Sequence, residues 1–387
     1  MSPDPILKTK LFIPPLREGM VSRLRLVELI NEGIKKKILF VSAPAGFGKS
    51  TLIVEWLSQS NIPVTWISLE TTEDDPIYFL SYLISSVESI FPNCGSKILR
   101  SLQASGSHSI KNMLRDWINE ISEQTKEFVV VLDDFHHIKS NGVLELLCDL
   151  IDHQPSQLHL ILASRTNFPI PCARIRAHGE LVELGINDLR FSLNEMIDYL
   201  KKHLGEKITY NEARIIGDRT EGWITGLQLA NLTLQAVDDV KTCVENFSGT
   251  NKVVADYLVD EVLSKQPKKI QTFLLKISIL GRFCPQLCNF VTGVNDSQQI
   301  LVQLEKSGLF IIPLDDSHTW YRFHHLFADL LRERLNSLAV NARQKIYIKA
   351  AKWFANNDLI LEAIHYAVEV QDYTLAISYI LKRATKN

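Results

Sequence analysis

The sequence has few cysteines, and their spacing does not fit a zinc site. Six cysteines are scattered over 387 residues, and only Cys284 and Cys288 are close together. No second cysteine or histidine pair completes a set of zinc ligands, so a structural zinc and a disulfide framework are not expected. The pattern predicts free, reduced thiols, as in a cytosolic protein.

The chain also lacks targeting, membrane and nucleic-acid features. Its first residues, MSPDPILKTKLF, contain no hydrophobic signal-peptide core, and no apolar run approaches membrane-spanning length. Lysine and arginine number 42 against 44 aspartates and glutamates, and the lysine runs at 35–37 and 268–269 are short. A nucleic-acid surface needs clustered basic side chains. We therefore predict a cytoplasmic protein that contacts no membrane.

What the sequence does have is a regular alternation of apolar and amphipathic stretches in its first half. Hydrophobic residues make up 46% and charged residues 22%, which is typical of a globular chain with substantial cores. Runs this apolar are typical of parallel strands that are covered on both faces. The alternation predicts a doubly wound α/β domain. The predicted strands are residues 38–42, 64–69, 128–134, 158–164 and 180–184.

After about Gly185 the pattern becomes almost entirely helical. The exception is a hairpin, in which LFIIPL and TWYRF flank the turn DDSH. Helices around such a hairpin indicate a winged helix, and the final stretch is similar to the start of a helical-repeat array. We predict an α/β domain at 1–185, a small helical domain at 186–245, a winged-helix domain at 246–340 and the start of helical repeats at 341–387.

A loop that contains two glycines follows the first predicted strand. The sequence SAPAGFGKSTL, residues 42–52, matches the phosphate-binding pattern G-x-x-x-x-G-K-[ST], except that Ala43 stands at the first glycine. Pro44 fixes the next φ angle, so the loop can still form. Taken alone, the stretch is either a nucleotide-binding P-loop or a plain turn between a strand and a helix.

In a P-loop, each of these residues has a physical task. Gly46 and Gly48 let the backbone approach phosphate oxygens closely, at the N-terminus of a helix. Lys49 reaches the β- and γ-phosphates, and the Ser50 hydroxyl binds Mg²⁺. Thr51, in the first helical turn, offers its amide to the same phosphates.

Two acids end the third predicted strand, FVVVLDD. Ligands of open α/β sheets bind at the carboxyl ends of the strands. There Asp133 can join the shell of a magnesium ion and Asp134 can orient water for attack. The pair alone is usually a solvated turn, but together with the glycine loop it predicts a nucleotide site. A guanine-specific Asn-Lys-x-Asp motif is not found, so we expect ATP or ADP with Mg²⁺.

Further cations are candidates for phosphate contacts. Arg165 follows the fourth predicted strand and is either a sensor of the γ-phosphate or a surface residue, with neither favoured. Arg174 and Arg176 are weaker candidates. His324 opens a helix after the hairpin, where it could donate to a phosphate or serve only in packing.

Motifs along almost the whole chain resemble those of one known group. Taken in order, they resemble the MalT-like ATP-dependent regulators of the LuxR type, which belong to the STAND signal-transduction ATPases. The form Ala-Pro-Ala-Gly in the loop resembles the group's own. The resemblance implies a P-loop NTPase domain, a helical domain, a winged helix and the start of helical repeats. The motifs are SAPAGFGKSTL, VVVLDDFHHI, LASRT, LRFSLNEM, TEGWITGLQLA and YRFHHLFADLLRERL.

The resemblance also implies roles for single residues. Lys49 and Ser50 would hold phosphate and magnesium, and Arg165 would be the sensor. Asp133 would complete the metal shell, and Asp134 would hold the hydrolytic water.

Three further assignments depend on the resemblance alone. The stretch MVSRLRL implies that Val21 and Arg23 lie on the adenine side. His324 would contact the β-phosphate of bound ADP, and His325 would pack.

The function that the resemblance implies is a nucleotide switch. ADP would hold a closed monomer, ATP would promote self-association, and slow hydrolysis would reset the switch. A small-molecule or protein inducer is implied, and DNA would be bound only through a C-terminal domain that this chain does not contain. A P-loop kinase or remodelling ATPase, and a non-catalytic scaffold with permanently bound ADP, stay open as alternatives.

Overall fold

The computed structural model describes residues 6–16, 19–103, 109–169, 173–337 and 340–384. The chain divides into two compact units, Met1–Lys202 and His203–Asn387, and each is described by itself. The four predicted domains and their boundaries stay predictions.

The first unit contains a five-stranded, fully parallel sheet, as the apolar runs predict. Its strand order is β2-β3-β4-β1-β5. Every residue of β3 is buried, which explains why its sequence is an uninterrupted apolar run rather than an alternation. The strands are β1 (Ile38–Ser42), β2 (Val64–Ser68), β3 (Phe128–Asp133), β4 (Leu158–Ser164) and β5 (Leu181–Leu184).

Helices connect these strands, and their ends follow local rules. The Asp75 carboxylate accepts hydrogen bonds from the amides of Ile77 and Tyr78, and Pro76 is the first helical residue. Short 3₁₀ helices lie at Lys8–Leu11, Thr71–Asp74 and Phe135–His137. The α-helices that begin in this unit are α1 (Leu24–Gly33), α2 (Lys49–Leu57), α3 (Pro76–Glu88), α4 (Ser96–Gln103), α5 (Ile110–Ser122), α6 (Asn141–Asp152), α7 (Ala173–Ala177), α8 (Ile186–Leu189) and α9 (Leu193–Leu204).

The second unit is helical apart from one hairpin. Its first long helix begins with a capping box, in which Thr209 and Glu212 bond each other's backbone amides. One turn, Val259–Leu263, is π-helical. The α-helices are α10 (Tyr210–Thr220), α11 (Ile224–Gln235), α12 (Val240–Asn246), α13 (Lys252–Leu258), α14 (Lys268–Ile277), α15 (Pro285–Thr292), α16 (Ser297–Lys306), α17 (His325–Asn336), α18 (Val340–Asn356), α19 (Ile360–Glu369) and α20 (Tyr373–Ala384).

The predicted hairpin is present between α16 and α17. It pairs β6 (Ile311–Pro313) with β7 (Tyr321–Phe323) in antiparallel fashion. Behind it lies an aromatic core in which Phe310 contacts the rings of Trp223 and Phe327. Burial of these rings fixes the hairpin against α11 and α17.

Two expected absences can be checked over the described ranges. No helix within them is long and apolar enough to cross a membrane. Cys172 lies outside these ranges. The other five cysteines are free thiols: Cys94, Cys148, Cys243, Cys284 and Cys288.

Candidate nucleotide-binding site

The glycine loop connects β1 to α2 through two left-handed residues. Gly46 has a φ of 75° and Gly48, which caps α2, has a φ of 80°. Residues with a side chain rarely adopt such angles, so the loop requires glycine at both positions. Ala43 is not among the non-glycine residues with a positive φ in the described chain. Its amide donates to the Ser164 carbonyl at 3.2 Å, which fixes the start of the loop to β4.

Lys49 begins α2, and its side chain turns back to the glycine loop. Its side chain is 7% exposed, and its Nζ donates to the carbonyl oxygens of Ala43 at 2.8 Å and Pro44 at 3.0 Å. Burial, followed by the nearby charge of Arg165, lowers the pKa of Lys49 to about 8, although Asp134 and Asp133 oppose this. The ammonium group is held by neutral oxygens where a phosphate would satisfy it better.

Asp133 lies at the end of β3 and meets the loop helix. It is 5% exposed, accepts a hydrogen bond from the Ser50 side chain, and its Oδ1 accepts the Asp134 amide at 3.0 Å. Burial and the charge of Asp134 raise the pKa of Asp133 to about 6, against the effect of these hydrogen bonds and of Lys49. The two predicted magnesium ligands, Ser50 and Asp133, are therefore in contact.

Asp134 differs sharply from its neighbour. Its backbone is left-handed, with φ 54° and ψ 37°, and 41% of its side chain is exposed. The 3₁₀ helix Phe135–His137 starts directly after it. His136 Nδ1 lies 3.6 Å from Asp134 Oδ1. His136 has no role among the sequence-based predictions, although a histidine two residues after an acid pair was an available signal.

The remaining predicted cations fall into two groups. Arg165 follows β4, is partly buried, and contributes a charge that lowers the pKa of Lys49, so it belongs to the loop's surroundings. Thr51 is partly buried in the first turn of α2. Arg174 is 74% exposed, and Arg176 forms an exposed ion pair with Glu183 at 2.9 Å. Exposed pairs of this kind contribute little, which fits surface roles for both.

Arg23 is committed to the protein itself. It is 4% exposed, its Nη2 donates to the carbonyls of Leu189 at 2.8 Å and Arg190 at 3.1 Å, and its guanidinium lies 4.3 Å from the Phe191 ring centre. Burial lowers the pKa of Arg23 to about 10. The side chain thus fixes the segment that contains the partly buried Val21. The Arg23 amide donates to Glu55 Oε1 at 2.8 Å, and the Arg23 carbonyl accepts the amides of Leu26 and Val27. The adenine-side assignment of Val21 and Arg23 stays a prediction.

His324 and His325 lie in the second unit, at the start of α17. His324 is 2% exposed, and its Nε2 lies 3.0 Å from the Thr220 carbonyl oxygen, to which it donates. His325, by contrast, is 60% exposed. The expectation that His325 packs is wrong, because the first turn of α17 directs this side chain toward solvent.

Glu221 anchors the surroundings of His324. It has a left-handed backbone with φ 49° and accepts hydrogen bonds from both terminal nitrogens of Arg322, at 2.9 and 2.7 Å, and from the His325 amide at 2.9 Å. Burial alone would raise the pKa of Glu221, but the Arg322 hydrogen bond and nearby His324 lower it to about 2. Neither Glu221 nor Arg322 has a role among the predictions, because only folding brings them together.

The residues at the end of the sheet fit a nucleotide with Mg²⁺. Two left-handed glycines precede a helix N-terminus, a buried lysine lies in the loop, and a hydroxyl and a carboxylate oxygen meet beside it. Within the described ranges, no cluster of three or more His, Cys, Asp or Glu side chains could hold a metal ion. Magnesium in nucleotide sites needs no such cluster, since phosphates and water complete its shell.

Two family models match this chain, one in each of its two units. Residues 34–169 match the family described as AAA domain, and residues 259–343 match the family described as MalT winged helix domain. The Walker-type ATPase PABY2304 of Pyrococcus abyssi has a similar fold, with a TM-score of 0.56 at 17% identity, over 82% of this chain and 97% of that one.

Two curated relatives match along nearly the whole chain. The HTH-type transcriptional regulator MalT of Yersinia pestis is 31% identical over 386 residues, which cover 98% of this chain and 42% of that protein. The serine/threonine-protein kinase PknK of Mycobacterium tuberculosis is 29% identical over 381 residues, which cover 98% of this chain and 34% of that protein. The chain thus spans less than half the length of either relative.

The parallel sheet, the glycine loop and the AAA match define a P-loop NTPase, so the chain has a nucleotide-binding fold. More particularly, it is similar to the regulator MalT along nearly its whole length and to the MalT winged helix domain over residues 259–343. The predicted resemblance and the predicted fold class are both confirmed.

Proposed function

We propose that this chain is the nucleotide switch of a MalT-like transcriptional regulator. In the resting state it would hold ADP in a closed form, and exchange for ATP would lead to self-association. Slow hydrolysis would restore the resting state. One observation carries the proposal: the loop lysine, the Ser50 hydroxyl, Asp133 at the end of β3 and Asp134 directly after it converge at one end of the sheet.

Each residue of this site would have a limited task. Lys49 would exchange its two carbonyl contacts for β- and γ-phosphate oxygens, while Ser50 and Asp133 would hold Mg²⁺. Bound Mg²⁺ neutralises charge on the phosphates. Asp134, the more exposed acid, would orient water, and Arg165 would sense the γ-phosphate.

Other assignments complete the proposal from the resemblance. Gly46, Gly48 and Thr51 would present backbone amides to phosphate, and Val21 and Arg23 would lie on the adenine side. His324 would contact the β-phosphate of ADP in the resting state. Its Nε2 already donates to the Thr220 carbonyl, so that contact would use Nδ1, which donates only when the imidazole is protonated on both nitrogens.

A switch of this kind needs a large difference in binding between its two states. Moving a population from 1:99 to 99:1 takes about 5.5 kcal/mol. Contacts of Lys49 and Arg165 with a γ-phosphate, and of Ser50 and Asp133 with its Mg²⁺, would be gained as a His324 contact is lost, and they are of the right kind to supply this difference. DNA binding and inducer sensing are whole-protein properties, and we propose that parts of the regulator beyond this chain carry them.

The test is the identity and the release rate of the bound nucleotide. Purified protein should release ADP on denaturation, and ATP after incubation with ATP and Mg²⁺, as measured by mass spectrometry. His324→Ala should release ADP faster than the wild type, while His325→Ala should not, because its exposed imidazole is lost but its amide bond to Glu221 is kept.

The outcomes separate the competing functions. ADP that never exchanges would indicate a non-catalytic scaffold, and rapid turnover or phosphorylation of an added acceptor would indicate a remodelling ATPase or a kinase. Unchanged release from His324→Ala would remove that residue from the switch. If calorimetry on folded protein detected neither ADP nor ATP binding, the proposed function would be wrong.

A further inference from the structure

His136 is a buried polar group beside the nucleotide site that no role described so far uses. Its side chain is 15% exposed, and its Nδ1 lies 3.6 Å from Asp134 Oδ1. Within the part of the chain that the structure describes, this nitrogen has no hydrogen-bond partner. A buried ring nitrogen without a partner is costly, so it calls for an explanation.

The fold holds the His136 ring in place. Phe135 and Ile138, on either side of the two histidines, are 1% and 4% exposed, so the 3₁₀ helix is anchored at both ends. The His137 amide donates to the Asp134 carbonyl at 3.1 Å, and the His137 ring centre lies 4.3 Å from that of His136. The left-handed Asp134 caps this short helix, which therefore keeps the His136 imidazole next to the Asp134 carboxylate.

The surroundings also fix the charge of the imidazole. Burial, followed by His137, Arg165 and Lys49, lowers the pKa of His136 to about 3. The ring is therefore neutral at physiological pH and carries a single N–H. Because a carboxylate only accepts hydrogen bonds, a pairing with Asp134 requires that this proton be on Nδ1.

We propose that His136 is a positioning residue for Asp134. The Nδ1–H of His136 holds one carboxylate oxygen of Asp134, so that the other oxygen faces the attacking water. The inference depends on the proposed role of Asp134 in hydrolysis. At 3.6 Å the two atoms are beyond hydrogen-bond distance, and a small rotation of the exposed carboxylate would close the gap. Long contacts of this kind are common before the substrate binds.

Three substitutions at position 136 test the geometry through ATP hydrolysis. His136→Ala should lower kcat about ten- to a hundredfold, as the loss of an orienting partner typically does, with KM for ATP changed less than about twofold because no phosphate contact is lost. His136→Asn, whose amide nitrogen can occupy the place of Nδ1, should restore most of the rate. His136→Gln, which reaches the place of Nε2, should not, so Asn and Gln form the matched pair.

A second measurement does not depend on turnover. In protein with ¹⁵N-labelled histidine, the His136 resonances, identified by their loss in His136→Asn, should show a proton on Nδ1. Asp134→Ala should shift the tautomer equilibrium toward Nε2–H. ATP affinity measured by calorimetry should be the same for wild type, His136→Ala and His136→Asn.

The two measurements distinguish failure of the inference from failure of the proposed function. If the wild type hydrolyses ATP and His136→Ala keeps its kcat, or if Gln restores the rate as well as Asn, His136 does not position Asp134. If the wild type has no turnover, the proposed function fails. Independently of turnover, an Nε2–H tautomer of His136 that does not change in Asp134→Ala would show that the two side chains are not paired.

Discussion

Each unit has a buried polar centre, formed by Lys49 and Asp133 in the first unit and by Glu221 and Arg322 in the second. The pKa shifts of Lys49, Asp133 and Glu221 have opposite effects on the charged forms in the two centres. At the end of the parallel sheet, burial lowers the pKa of Lys49 to about 8 and raises that of Asp133 to about 6, so both charged forms are disfavoured. In the second unit, Arg322 and the His325 amide bring the pKa of Glu221 down to about 2, so its charged form is favoured.

This difference separates a centre built for a ligand from one built for the fold. Burial of the Lys49 and Asp133 charges costs free energy, and under the proposed function phosphate and Mg²⁺ would offset that cost. Glu221 already has its partners, and its network holds β7 to the end of α10. We infer that His324 is presented by a rigid support, whereas the loop lysine is poised for exchange of partners.

The largest expected effect is on stability, at the centre of the second unit where Glu221 and Arg322 are paired. Glu221→Ala leaves Arg322 without its carboxylate, and breaking a buried pair should cost the second unit about 3 kcal/mol. Native-state hydrogen exchange at the amides of β7 and α17 measures this loss. Because the folded pKa of about 2 lies below the ordinary value of 4.5, the stabilisation is complete above about pH 4.5 and disappears as pH falls toward 2.

Glu221→Gln is the control for this substitution. Glutamine has the size of glutamate but no charge. The loss of stability in Glu221→Gln should therefore be clearly smaller than in Glu221→Ala. Equal protection of the β7 amides in Glu221→Ala and the wild type would show that the network does not support the hairpin.

The opposite sign is expected at the unsatisfied centre. Asp133→Asn removes a buried charge but keeps an acceptor for Ser50, so the first unit without nucleotide should become more stable, by up to about 3 kcal/mol for a pKa raised by about two units. A raised carboxyl pKa costs stability fully above pH 6, and the cost disappears below the ordinary value of 3.8. The gain should therefore be seen at pH 7.5 and be absent near pH 3.8, as measured by exchange of the β3 amides.

Asp134→Asn provides the comparison, because its side chain is 41% exposed and little stability should be recovered. With ATP and Mg²⁺ present, the Asp133 variant should lose its advantage, since the wild-type carboxylate would then hold the metal. An Asp133→Asn variant that is no more stable than the wild type at pH 7.5 would contradict the contrast between the two centres.

Sequence alone predicts the local part of this picture. The strands and the glycine loop depend on neighbours in the chain, so their residues indicate them directly. Partners that meet only on folding give no such signal: Arg23 donates to a carbonyl 166 residues away, and Arg322 pairs with a glutamate 101 residues away. For the same reason the exposure of His325 and the approach of His136 to Asp134 required the structure.

The smallest expected effect concerns the loop's departure from the common pattern. Ala43 has no positive φ, so Ala43→Gly should improve nothing in the loop and should destabilise the first unit by about 0.4–1 kcal/mol through the greater freedom of the unfolded chain. Nucleotide affinity, measured by calorimetry, should change less than about twofold. Gly48→Ala is the counterpart: at a φ of 80° its side chain is strained, so stability and affinity should both fall further. An Ala43→Gly variant that bound nucleotide much more tightly would contradict this expectation. It would mean that alanine restricts the loop and that glycine at the first position of the pattern improves nucleotide binding.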